Sequence, residues 1–92
     1  MHPKTVFGKR LRYRIVSDLD DELDGLFVPD SFTILLSHLL TGEKLTRVRI
    51  HEEIHAVFNR IGVSQALDEG VEEIICESLA IWSFGCRLLF LG

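Results

Sequence analysis

His51-Glu52-Glu53-Ile54-His55 sets two imidazoles four residues apart, with a carboxylate directly after the first. On an α-helix, positions i and i+4 share one face, so both rings reach a single zinc ion while Glu52 leans towards the remaining coordination position. This is the HExxH arrangement, and its chemistry is metal-assisted hydrolysis. The metal lowers the pKa of a bound water and polarises a substrate carbonyl, and the Glu takes the water's proton and passes it to the leaving amine.

That chemistry requires the motif to sit inside a helix. Leu45, Val48, Ile50, Ile54, Val57, Phe58 and Ile61 recur at intervals of two to four, which predicts an amphipathic helix over about 42–61. Thr41 is placed to cap its start, Glu43 lies in the first turn, and Gly62 follows as a stop signal.

A third protein ligand is expected from the acidic segment Asp68, Glu69, Glu72, Glu73 and Glu77. Residues 63 to 67 form a short connection, and Asp68 is a cap for a second helix over about 67–90. A short link makes the two helices an antiparallel hairpin, rising about 1.5 Å per residue. Reflection about Ser64 and Gln65 brings His55 level with about residue 74 and His51 with about residue 78. Glu73 is therefore assigned as the third ligand, and Glu77 as a carboxylate that orients a ligand histidine. Glu72 competes with Glu73 for the metal, and Glu69 lies about a turn too early.

With these residues in view, the chain resembles the gluzincin-type zinc peptidases, and most closely the very small phage and prophage forms related to the ImmA/IrrE family. The likeness rests on His51 to His55 with Ala56 and Val57, a short link, and Asp68-Glu69-Gly70-Val71-Glu72-Glu73. Glu73-Ile74-Ile75-Cys76-Glu77 is similar to the family's second helix, where the Glu binds zinc and small residues follow at helical spacing, here Cys76 and Ala80. It spans about residues 31 to 82, without the longer surrounding domain of full-size members. The resemblance implies a zinc peptidase acting on a cytosolic regulator such as a repressor. It also implies that an edge strand beside the zinc helix takes the substrate backbone as an added strand, with the strand around Phe32 to Leu36 as the expected platform.

The segment before the motif reads as β. Leu11, Tyr13 and Ile15 alternate with Arg10, Arg12 and Arg14, giving a strand over about Lys9 to Val16 with one apolar and one basic face. Leu26 to Val28 and Phe32 to Leu36 are two further short strands, separated by a turn at Pro29 and Asp30. The expected fold is α+β: a three-stranded sheet over about 9–36 followed by an antiparallel helix pair, in a single domain over 1–92. Arg10, Arg12 and Arg14 read as a charge-guarded strand at the edge of the sheet, with an anionic partner such as a phosphate backbone or an acidic peptide as the alternative. His38 reads as a polar loop residue, and the acidic run Asp18 to Asp24 as a solvated loop, since a calcium loop counted from Asp20 would end on Ser31 instead of Glu.

Composition bounds the partners. A net charge of −4 excludes broad electrostatic attraction to nucleic acid. Met1 to Phe7 lacks an apolar signal region, so the expected compartment is the cytoplasm. Cys76 and Cys86, about 15 Å apart along one helix, cannot pair with each other and read as reduced core thiols. Leu79, Ile81, Trp82, Phe84 and the Leu88 to Leu91 run leave little polar face, yet Glu77 and Arg87 interrupt the run and it is too short to span a membrane. A homodimer through this helix is the expected use of that surface. The expected function is a zinc-dependent metallopeptidase. The alternatives are a catalytically inactive module, zinc-stabilised or metal-free, that acts through its apolar C-terminal helix.

Overall fold

The computed structural model describes residues 4–20 and 22–91, with side chains through residue 83. Phe7 and Gly8 both take positive φ, 48° and 83°, so the two-residue link from β1 (Lys4–Val6) to β2 (Lys9–Val16) turns with the hand that closes an antiparallel hairpin. The chain then crosses to β3 (Gly25–Val28) and returns through Pro29 to Phe32 into β4 (Thr33–Ser37). Phe32 sits at φ 49° at the end of that turn, its N–H donating to the Pro29 carbonyl at 3.1 Å. The positive φ turns its ring into the core, 5.4 Å from Phe27 in an edge-to-face contact.

β4 inserts between β2 and β3, parallel to the former and antiparallel to the latter, giving the order β1-β2-β4-β3. The sheet thus has four strands where the sequence pattern gave three; Lys4–Val6 is too short to show a period. The expected substrate platform is also corrected. Phe32 belongs to a turn, and Thr33–Ser37 is paired on both sides, so no edge is free there. The edge nearest the helices is β3.

Three helices follow: α1 (Gly42–Arg60), the single turn α2 (Val63–Ala66), and α3 (Glu69–Leu91). Thr41 precedes α1 in an extended conformation but makes no capping bond through its side chain. Gly62, at φ 86°, ends α1 in the left-handed conformation, and its N–H donates to the Asn59 carbonyl. Asp68 does cap α3: its Oδ1 accepts from the N–H groups of Gly70 and Val71 at 2.9 and 3.4 Å. Among the described residues no helix is long and apolar enough to cross a membrane.

The core forms where α1 covers one face of the sheet. Leu11 from β2 and Ile34 and Leu36 from β4 are buried there with Phe32, Leu40 and Ala56. α3 packs on α1. Glu53 fastens α1 to the strands, accepting from Tyr13 Oη at 2.5 Å, Lys4 Nζ at 3.0 Å and Arg49, one turn back, at 3.1 Å. Burial opposes the charge on Glu53, but the hydrogen bonds from Tyr13 and Lys4 and the charge of Arg49 outweigh it and hold its pKa below the ordinary 4.5.

A carboxylate whose pKa is lowered by folding stabilises fully above its unfolded value and loses that contribution as pH falls through the folded one. Glu53→Gln is expected to be about 2 kcal/mol less stable than wild type at pH 7 in urea unfolding, the gap closing below pH ~4. A gap unchanged at pH ~3 would mean that the ionised carboxylate is not its source.

Candidate metal centre

α1 presents His51 and His55 on the side that faces α3, and Glu53 on the side that faces the sheet. This follows from helical spacing, since residues four apart stack while adjacent ones point about 100° apart. The two ring Nε2 atoms lie 3.2 Å from each other. From α3, the Glu73 carboxylate meets both, with Oε1 2.7 Å from His55 Nε2 and Oε2 3.2 Å from His51 Nε2. Each outer nitrogen is held from behind by a further carboxylate: His51 Nδ1 by Glu77 at 2.8 Å, and His55 Nδ1 by Glu72 at 2.5 Å. Both imidazoles are mostly enclosed, their side chains 13% and 12% exposed.

The donor set suits a divalent cation. An ionised carboxylate only accepts, so Glu77 and Glu72 each take an Nδ1–H, and the Nε2 lone pairs of neutral rings then face one another and Glu73. Without a cation those inner contacts require protons, and protonating both rings would oppose two N–H groups across 3.2 Å. One cation replaces both protons. Two nitrogens each about 2.0–2.1 Å from a tetrahedral ion lie about 3.3 Å apart, close to the separation found.

Among the described residues, His51, His55 and Glu73 have donor atoms within 4.8 Å of one another. His55, Glu72 and Cys76 form a second such set, but it is the poorer one. Its His55 and Glu72 are already joined to each other through Nδ1 at 2.5 Å. Burial, reinforced by Glu72, Glu73 and Glu52, also pushes the Cys76 thiol up to about 12 and keeps it protonated. Cys76 is a fully buried core thiol, as its spacing suggested; Cys86 lies outside the described side chains.

Glu52 is buried at 8% exposure, with Oε2 4.0 Å from His51 Nε2. Burial raises its pKa above the ordinary 4.5, opposed by the two histidines and by a hydrogen bond from the Phe27 backbone, and assisted by Glu73. It therefore lies between the imidazoles and the edge strand β3. Gly25 makes that approach feasible: a Cβ there would fall 2.8 Å from Val48 Cγ1 and 3.3 Å from Glu52 Cγ. Two cavities flank Glu52 along β3. One of about 250 Å³ lies beside Asp24, Gly25, Arg47 and His51, and one of about 280 Å³ beside Leu26, Phe27, Pro29 and Glu69.

All five motif and acidic-helix residues singled out in the sequence, His51, Glu52, His55, Glu73 and Glu77, meet at this place. Glu72 meets the outer side of His55 and not the inner centre. Glu69 lines one cavity, and His38 is exposed in the turn after β4. Gly25 and Glu53 were not singled out as part of this arrangement. The signal for Glu53 was its position four residues after Arg49 on the helix; Gly25, at the end of an acidic run, carried none. No protein-family model, curated protein or solved structure matches this chain.

One zinc per chain is expected in wild type by elemental analysis, and none in His55→Ala or Glu73→Ala. Glu72→Ala should retain the site with about 10–100-fold weaker affinity, as for partners that orient a ligand. Equal losses in Glu72→Ala and Glu73→Ala would remove the distinction between ligand and orienting partner.

Proposed function

We propose that this chain is a small zinc-dependent metallopeptidase of HExxH type, in which His51, His55 and Glu73 hold the metal and Glu52 is the general base and acid. The observation that carries the reading is the convergence of both Nε2 atoms and the Glu73 carboxylate beside a buried carboxylate that belongs to neither set of ring contacts. Zinc, when bound, supplies Lewis acidity and a water of lowered pKa. Glu52 is placed to act as the proton acceptor for an attacking water and as the donor to the departing amide nitrogen, and would do so with the metal held by His51, His55 and Glu73. Glu77 and Glu72 keep both rings in the tautomer that offers Nε2 inward.

The peptide would lie extended along β3, the free edge beside Glu52, with side chains on either side of the scissile bond entering the two flanking cavities. Tyr13, the only tyrosine in the chain, has its hydroxyl committed to Glu53 and supplies no oxyanion donor here. The resemblance to the ImmA/IrrE group, carried by residues 51–57 and 68–77, points to a protein regulator in the cytoplasm as substrate.

Glu52→Gln is expected to fold and bind zinc as wild type does, while cleavage of a quenched-fluorescence peptide library falls by about 10²–10⁴-fold. Equal turnover by the two proteins would remove this mechanism. Stoichiometric zinc with no hydrolysis by wild type would favour the inactive, zinc-stabilised module.

The same reading includes a homodimer through α3, supported by Ile81 and Trp82, 53% and 66% exposed at adjoining helical positions. Sedimentation equilibrium is expected to give a dimer for wild type and a monomer for Ile81→Asp. A monomeric wild type at ~0.2 mM would exclude a dimer tight enough to matter.

A further inference from the structure

β2 sends alternate side chains to opposite faces of the sheet. Leu11 and Tyr13 pass beneath α1, whereas Arg10, Arg12 and Arg14 emerge on the other face, all three exposed. No described helix packs there, because α1 takes the inner face and α3 lies on α1. Strand register sets Arg12 in line with Thr33 and Val28, and Arg14 in line with Leu35 and Leu26. A basic row therefore runs alongside an apolar one, in a shallow concavity of about 800 Å³. Arg10, Arg12 and Arg14 make no ion pair among the described residues, in a chain whose net charge is −4.

Edge protection accounts for charge on β2, because β1 covers only its first three residues. It does not account for three guanidiniums that line one concavity with Val28 and Leu35. A sheet face that carries an apolar row is ordinarily covered by a second layer, commonly a helix. Alternate residues of a strand repeat every ~6.7 Å, and residues four apart on a helix every ~6 Å. A helix lying along β2 and β4 thus sets carboxylates at i, i+4 and i+8 against the three arginines, where paired guanidinium contacts form. Its apolar residues at i+3 and i+7 then meet Leu35 and Val28. A nucleic-acid strand would match the arginine spacing but needs stacking surfaces. The aromatic rings Tyr13, Phe27 and Phe32 all belong to the core side.

We propose that the outer face of the sheet is a docking surface for an acidic amphipathic helix of a protein partner. It lies on the opposite side of the sheet from the candidate metal centre and stands independently of any peptidase activity.

The test titrates the full chain into a fluorescent helical peptide of about 20 residues carrying a leucine stripe flanked by glutamates at i, i+4 and i+8. Its glutamine twin and a thymidine oligonucleotide of similar length serve as comparisons. The glutamate peptide is expected to bind at least about tenfold tighter than its twin. Arg10→Glu/Arg12→Glu/Arg14→Glu should abolish that preference with an unchanged far-UV spectrum and gain binding to a lysine version of the peptide. If the triple variant does not fold, Arg12→Ala should still weaken the glutamate peptide several-fold. Absence of binding, equal affinity for the two peptides, or tighter binding of the oligonucleotide would overturn the proposal.

Discussion

Two carboxylates of α3 grip the outer nitrogens of two histidines on α1, and this pair of hydrogen bonds governs where both inner nitrogens point. Were either ring free to turn, its lone pair would leave the convergence with Glu73 and no metal-sized set of donors would exist. The constraint reaches outward from there. Glu72, Glu73 and Glu77 keep their places only while α3 runs antiparallel to α1, which depends on the turn at Gly62 and on Cys76 and Ala80 being small enough to be buried in the helix pair.

Adjacent carboxylates in the motif divide the work of α1 between its two sides. Glu53 is pulled into a cluster of Tyr13, Lys4 and Arg49 on the sheet, and its pKa is held down. Glu52, one residue earlier, is buried, and the two imidazoles and the Phe27 backbone bond do not outweigh that burial, so its pKa is pushed up. The difference arises from partners, because both are largely enclosed: Glu53 collects donors on one side of the helix, whereas Glu52 faces imidazoles and an edge-strand backbone. A buried carboxylate of raised proton affinity beside the converging histidines is what proton transfer in the proposed hydrolysis demands. Position of the helix over β3 is in turn limited by Gly25, whose missing side chain sets how closely α1 can descend.

The sheet serves the two surfaces differently. Its inner face and the β3 edge frame the candidate centre, while its outer face is left with arginines beside aliphatic side chains. Crossing from β2 to β3 before forming β4 is what creates this division, since the returning strand fills the middle and leaves the segment nearest Glu52 at the rim.

Sequence alone determined the local features. The four-residue spacing of His51 and His55 required a shared helix face, and a short link between helices placed Glu73 and Glu77 opposite them, because helical rise and hairpin reflection are properties of the backbone. Alternation in Lys9–Val16 likewise separated its basic and apolar faces. Only the tertiary structure decided which nitrogen each carboxylate meets. Glu72 and Glu73 are neighbours in the chain, and a rotation of α3 by a fraction of a turn would exchange their roles. It also decided that Thr33–Ser37 is interior and Gly25–Val28 is the edge, for strand order depends on pairing between segments distant in the chain and leaves no periodic trace in either one.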